Sequence, residues 1–211
     1  MESKKNHWEK IYSTKSPDEN SWTQEIPKTS LEFIHFAKLS KEAAIIDIGG
    51  GDSRLVDFLL DEGYVNLTVL DISEQALARA KMRLGDKASK INWIVCDIID
   101  FVPTKSYDLW HDRAAFHFLT NKTQIEKYIS IARAAVMDNG YLAIGTFSEE
   151  GPDKCSGLEV AKYSEDSLTK KFENGFEKLN CKTEDHITPF DTMQNFIFCL
   201  FIRRINLNNI E

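Results

Sequence analysis

The chain has few cysteines, no excess of basic charge and no long apolar run. Its four cysteines, Cys96, Cys155, Cys181 and Cys199, lie far apart and form no CxxC pair. That spacing matches neither a metal knuckle nor a dense disulfide framework. No metal is therefore expected, and the four are expected to be reduced thiols of a cytoplasmic protein. Lys and Arg number 26 against 33 Asp and Glu, a net charge of −7. Without a general positive footprint, nucleic acid is disfavoured as a partner. The longest apolar run, Phe196 to Ile202, suits a buried strand and is too short to cross a bilayer. No apolar stretch follows Lys4 and Lys5, so no secretory signal is expected.

What is present is ordinary globular composition: 211 residues, 42% hydrophobic and 28% charged, enough for one well-buried domain. Residues 1–40 differ from the rest. They hold Trp8, Tyr12 and Trp22 around a polar stretch, Ser13 to Asn20, with short helices expected near Asn6 to Tyr12 and Thr29 to Leu39. From residue 41 strand and helix signals alternate. Ala43 to Ile48, Val65 to Leu70, Ile91 to Val95, Tyr107 to Trp110 and Tyr141 to Phe147 are expected strands, with amphipathic helical segments between them. A polar loop, a helix from Ser164 to Phe172, and two strand-like runs, Phe176 to Ile187 and Met193 to Arg203, complete the chain. Repeated βα units predict an α/β fold: one domain with a doubly wound parallel sheet and an antiparallel hairpin at its edge. Ligands of such sheets sit at the carboxyl ends of the strands.

Three strand ends stand out. After the first strand comes Asp47-Ile-Gly49-Gly50-Gly51-Asp-Ser-Arg54. Glycines there let backbone approach a ligand closely, and the next helix offers unsatisfied N–H groups. A dinucleotide fingerprint starting at Gly49 would need a small residue where Arg54 stands, and no Gly-Lys-Ser/Thr follows as in a P-loop. After the second strand stands Asp71 with Ile72, placed to accept from both hydroxyls of a ribose. After the third stands Cys96-Asp97-Ile98, where a carboxylate and neighbouring backbone can read an adenine edge. Each acid alone could be a helix cap; together they describe an adenosine pocket.

With these residues in hand, the sequence resembles the class I S-adenosylmethionine-dependent methyltransferases over about residues 40–147. The resemblance implies a Rossmann-like seven-stranded sheet ordered 3-2-1-4-5-7-6 with strand 7 antiparallel. It implies S-adenosylmethionine as cofactor and S-adenosylhomocysteine as product. Gly49, Gly50 and Gly51 would lie under the methionine part, Asp47 near its amino group, Asp71 and Ile72 at the ribose, and Asp97 and Ile98 at adenine. Trp110-His-Asp-Arg-Ala-Ala115 and His7-Trp8-Glu-Lys-Ile-Tyr12 with Trp22 are similar to segments of the thiopurine methyltransferase-like and small protein-lysine methyltransferase-like branch. There the N-terminal segment folds over the cofactor, which makes residues 1–40 a lid on a 41–211 methyltransferase domain and Trp22 a cofactor contact.

In-line transfer from a sulfonium requires alignment, exclusion of water and, for some acceptors, proton removal. His111, Asp112, Arg113 and His117 cluster near the end of strand 4 and are the expected catalytic group. His186, Cys155 and Tyr163 are weaker candidates for the substrate wall. The expected activity is methyl transfer to a small-molecule or protein side-chain acceptor. The alternatives are a cofactor-binding but catalytically silent partner and an NAD-dependent oxidoreductase, the latter opposed by Arg54. Acceptor and oligomeric state are not legible.

Overall fold

Strand β1 (Ala44–Ile48) is buried along its whole length, as expected of a central parallel strand covered on both faces. Its neighbours are β2 (Asn66–Asp71) on one side and β4 (Tyr107–Arg113) on the other. In the computed structural model, which describes residues 3–204, the sheet runs β3-β2-β1-β4-β5-β9-β8. Here β3 is Ile91–Val95, β5 Val136–Phe147, β8 Phe176–Ile187 and β9 Met193–Arg203. With β9 antiparallel to both β5 and β8, this is the order the resemblance implies. Strands β6 (Lys154–Cys155) and β7 (Leu158–Glu159) form a small separate ribbon within the polar loop.

Successive residues of β1 feed opposite cores, as the two-residue period of a strand requires. Ile45 packs with Leu55 and Leu59 of α3 (Leu55–Asp61), Leu77 of α4 (Glu74–Leu84) and Ile34 of α2 (Lys28–Phe36). Ile46 and Ile48 face the other cluster. There Trp110, Tyr128 of α5 (Lys122–Ala135) and Phe172 of α6 (Glu165–Phe172) are fully buried. Helix α1 (Lys4–Thr14) precedes these layers and is capped by Ser3, whose side chain accepts from the Asn6 N–H. No helix among the described residues is long and apolar enough to cross a membrane.

Two expectations change. β4 runs on to Arg113, so His111 and Asp112 are strand residues enclosed by the sheet rather than members of an open loop. The cysteines are not all reduced: Cys181 and Cys199 are disulfide-bonded with Cα atoms 4.2 Å apart, while Cys96 and Cys155 remain free. The cause is register. The hairpin turns between Ile187 and Met193, which places Cys181 directly opposite Cys199. Directly opposed residues of an antiparallel pair come close enough for a bridge. On the outer edge strand β8 most side chains between the ends are exposed and many are charged, which blunts it against edge-to-edge pairing.

Candidate active site

The turn after β1 is shaped by contact on every side. Gly49 and Gly51 have φ of +63° and +50°, a region costly for residues with a Cβ. The Gly49 and Gly50 N–H groups both donate to the Leu70 carbonyl, at 2.7 and 3.2 Å, tying the turn to the end of β2. A Cβ on Gly49 would stand 2.6 Å from that of Ala115, and one on Gly51 2.7 Å from the Tyr12 hydroxyl. Ser53 accepts from the Leu55 N–H at 3.2 Å and so assists the start of α3.

Beside this turn, Asp71 is buried and accepts from the Ser73 N–H at 2.8 Å. Burial pushes its carboxyl up to about 7, against hydrogen bonds from the Ser73 and Gly51 backbone and aided by Asp52 and Asp47. It is therefore a carboxylate short of donors. Asp97 accepts from the Ile99 N–H at 3.2 Å and caps the short 3-10 turn Ile98–Asp100.

At the end of β4 each polar group has a distinct job. His111 Nδ1 bonds Asp47 Oδ1 at 2.7 Å and Nε2 bonds the Ser30 hydroxyl at 2.8 Å, so both ring nitrogens are engaged. Asp112 Oδ1 accepts from the N–H groups of Ala115 and Phe116 at 3.0 and 3.1 Å, and Oδ2 accepts from the Tyr128 hydroxyl at 2.6 Å. Those bonds bend the chain through Ala114, at φ +68°, and press Ala115 against Gly49. Burial raises Asp112 to about 6 although Tyr128 and the two amides oppose it. His117 is fully buried, with neither ring nitrogen partnered. Burial, then the Arg113 charge, lowers it to about 3. Arg113 donates from Nη1 to the Trp22 carbonyl at 2.9 Å.

Tyr128 also accepts from the Trp110 Nε1–H at 3.0 Å. Tyr128→Phe strips a buried donor and a buried acceptor together and is expected to destabilise the fold by about 2–4 kcal/mol. Denaturant unfolding checks this: a loss below about 0.5 kcal/mol would mean the Asp112 turn stands without it.

Helix α1 closes the front. Glu9 accepts from the N–H groups of Glu74 and Gln75 at 2.8 and 3.1 Å and from the Ser73 hydroxyl at 3.0 Å. It thereby fills the unsatisfied donors at the start of α4. Burial raises its carboxyl, but those bonds together win and hold it below the ordinary carboxylate value. Lys4 Nζ donates to the Phe118 carbonyl at 3.2 Å, and Arg79 reaches the Lys15 carbonyl. Trp8 packs edge-on against Trp22 and Phe118, with ring centres 5.7 and 5.0 Å away. The half-open cavity behind it measures about 110 Å³, below the roughly 300 Å³ at which small-molecule sites usually begin. Its walls bring together Gly49, Asp71, Ile72, Asp97, Ile98, Trp22 and Arg113. Asp47, Gly50, Gly51, His111, Asp112 and His117 stand behind them.

A methyltransferase domain model matches residues 46–142. Malonyl-[acyl-carrier protein] O-methyltransferase 1 of Ilyobacter polytropus is 26% identical over 178 residues, 78% of this chain and 63% of that protein. EEF1A lysine methyltransferase 2 of Danio rerio is 25% identical over 154 residues, 70% and 60% of the two. The N-methyltransferase NodS of Bradyrhizobium japonicum WM9, solved with S-adenosyl-L-homocysteine, superposes with a TM-score of 0.70 at 16% identity, covering 92% of this chain and 97% of that one. The domain match over residues 46–142, the sequence relatives and the shared fold together support a class I S-adenosylmethionine-dependent methyltransferase. The chain spans less than two thirds of the length of the two named relatives matched by sequence, and the likeness to NodS is one of fold.

Within this methyltransferase domain, sequence reasoning missed several walls of the cavity: Lys4, Leu70, Ala114, Leu119 and Phe118 among them. Phe118 carried no signal beyond being aromatic. Cys155 was a minor candidate yet lines the cavity, while His186 and Tyr163 do not. His186 bonds the Ser21 carbonyl at 2.7 Å.

Proposed function

We propose that this chain is an enzyme that binds S-adenosylmethionine and transfers its methyl group to a small-molecule or protein side-chain acceptor, with residues 1–40 as a helical lid over 41–211. The observation that carries the reading is one cavity lined by Gly49, Asp71 and Asp97 from three consecutive strand ends and closed by aromatic residues of the N-terminal segment. The donor-poor, buried Asp71 fits a ribose diol, which offers two hydroxyls. Gly49 brings bare backbone of the turn to the cavity wall, where an amino-acid tail would pass. The aromatic segment also supports the branch resemblance.

The cofactor supplies a methyl on a positively charged sulfur, already activated for displacement. Asp71 would hold the ribose, and Asp97 with the Ile98 backbone the adenine. Asp47, held by His111, sets negative charge behind the turn. Trp8, Tyr12 and Trp22 exclude water. His111 and Asp112 act through the groups they position, since their bonding atoms are taken. A His117 lowered to about 3 is a weak base at neutral pH. The fitting acceptors are therefore those whose attacking atom carries no proton to be removed. Of the relatives' named activities, malonyl-[acyl-carrier protein] O-methylation fits this condition directly, whereas lysine methylation requires the amine to arrive already deprotonated.

Calorimetry with S-adenosylmethionine, S-adenosylhomocysteine and NAD is expected to show binding of the first two alone; NAD binding without either would overturn the assignment. Labelled methyl is then expected to reach a fraction of cell extract. Tight cofactor binding with no transfer into any fraction would mark a silent binding partner.

A further inference from the structure

Arg113 is the cavity residue that cofactor binding leaves without a task. One of its guanidinium nitrogens, Nη1, bonds the Trp22 carbonyl, and the Phe196 ring lies 4.8 Å from the guanidinium carbon. Nε and Nη2 have no partner and are shielded from water. These two nitrogens share one edge of the planar group, and their N–H bonds run parallel, the fork that matches the two oxygens of a carboxylate. A buried cation with an empty fork is costly unless something completes it.

Nothing among the described residues does so. The acids whose charge reaches Arg113 are Glu184 and Asp47. Glu184 accepts from the Gln24 amide at 2.9 Å and from the Thr29 hydroxyl. Asp47 is paired with His111 at 2.7 Å. The other titratable neighbours are Cys155, His117 and His186. Burial keeps them uncharged near neutral pH, lowering both histidines and raising Cys155 to about 11. Arg113 itself, lowered by burial to about 10, keeps its charge. The cavity therefore holds a guanidinium with two free N–H donors, and Lys4, whose Nζ bonds the Phe118 carbonyl, beside the apolar surfaces of Trp8, Trp22, Phe118 and Leu119.

We propose that the free Nε–Nη2 edge of Arg113 anchors a carboxylate on the methyl acceptor, and that the acceptor is a carboxylic acid with an apolar body. The two oxygens of a carboxylate match the two parallel N–H bonds of that edge, and inorganic phosphate is the competing anion in the test. The third nitrogen, Nη1, holds the Trp22 carbonyl, so displacement of the N-terminal segment would release that bond and open the guanidinium to a ligand. The subsite rests on the methyltransferase reading only in calling its ligand the acceptor.

The test titrates benzoate and hexanoate, each beside its neutral amide and inorganic phosphate, into the full chain with and without S-adenosylhomocysteine. Tryptophan fluorescence reports binding, because Trp8 and Trp22 line the cavity. The carboxylates are expected to bind at least about tenfold more tightly than the amides. Arg113→Lys, which keeps the charge but not the fork, is expected to lose about tenfold for carboxylates while its binding of the neutral amides stays within about twofold. Equal binding of acid and amide, tighter binding of phosphate, or no saturable carboxylate binding overturns the subsite. These wild-type comparisons decide even if the variant does not fold. Carboxylate preference without S-adenosylhomocysteine binding upholds the subsite and overturns the cofactor reading instead; the reverse result does the opposite.

Discussion

Asp71→Asn is expected to weaken S-adenosylhomocysteine binding about ten- to hundredfold and to flatten the pH dependence of stability in the ligand-free protein. Both effects come from one buried carboxylate. In the unfolded chain its value is the ordinary 3.8, and in the folded chain burial lifts it to about 7. The folded form therefore binds the proton more tightly. Its stabilising contribution is complete below about pH 4 and is lost as pH rises through 7. Asp112, raised to about 6, acts in the same direction over a slightly lower range. His117 and His186, both lowered by burial, oppose this below about pH 6.5, so the ligand-free melting temperature should fall most clearly between about pH 6.5 and 7.5, and less steeply in the variant. Two ribose hydroxyls donating to ionised Asp71 would reverse the penalty through charge-assisted bonds, each worth roughly 1.5–3 kcal/mol. Wild-type affinity should therefore rise through pH 7 with release of a proton, measurable by calorimetry in buffers of different ionisation enthalpy. An unchanged dissociation constant in Asp71→Asn, with only a shifted melting temperature, would make Asp71 a residue of the turn into α4 and nothing more.

The acids at the strand ends were legible because their meaning depends on chain position. Asp47, Asp71 and Asp97 each follow an apolar run of strand length, and the parallel topology brings such ends to one edge of the sheet. The residues of β4 were harder. Histidine, aspartate and arginine at the end of a strand suggest chemistry by type, but their tasks are set by partners distant in sequence: Ser30 for His111, Tyr128 for Asp112, Trp22 for Arg113. Pattern alone does not pair residue 111 with residue 30. The disulfide lay closer to hand. Cys181 and Cys199 sit at equal distances from the ends of the turn between Ile187 and Met193, so a symmetric hairpin register already opposes them. Glu9 gave no signal because a glutamate on a polar helix is ordinarily solvated, and only the docking of α1 on α4 turns it into a cap.

That docking makes the N-terminal segment the second place for a large effect. Deleting residues 1–25 should leave a folded domain whose affinity for S-adenosylhomocysteine has dropped about a hundredfold or more. The sheet and the three core clusters lie outside the deleted stretch, apart from Trp22 packed against one of them and the buried Ile11, Tyr12 and Asn20 at the front. Ser73 still caps α4 by accepting from the Ala76 N–H at 3.1 Å, and water can replace Glu9 at the exposed Glu74 and Gln75 amides. What disappears is the aromatic wall of Trp8, Tyr12 and Trp22, with ring burial and water exclusion worth several kcal/mol over a bound adenosyl group. The milder variant Glu9→Gln keeps the wall but weakens its anchor, since a neutral amide oxygen accepts less strongly than a carboxylate from the start of a helix. Its segment should open more often, and cleavage within the exposed stretch from Ser13 to Glu19 should quicken. Adding S-adenosylhomocysteine should slow that cleavage in the wild type by holding the aromatic residues down. Cleavage at one rate with and without ligand, together with unimpaired binding by the truncated chain, would reduce the segment to fixed packing on the front of the sheet.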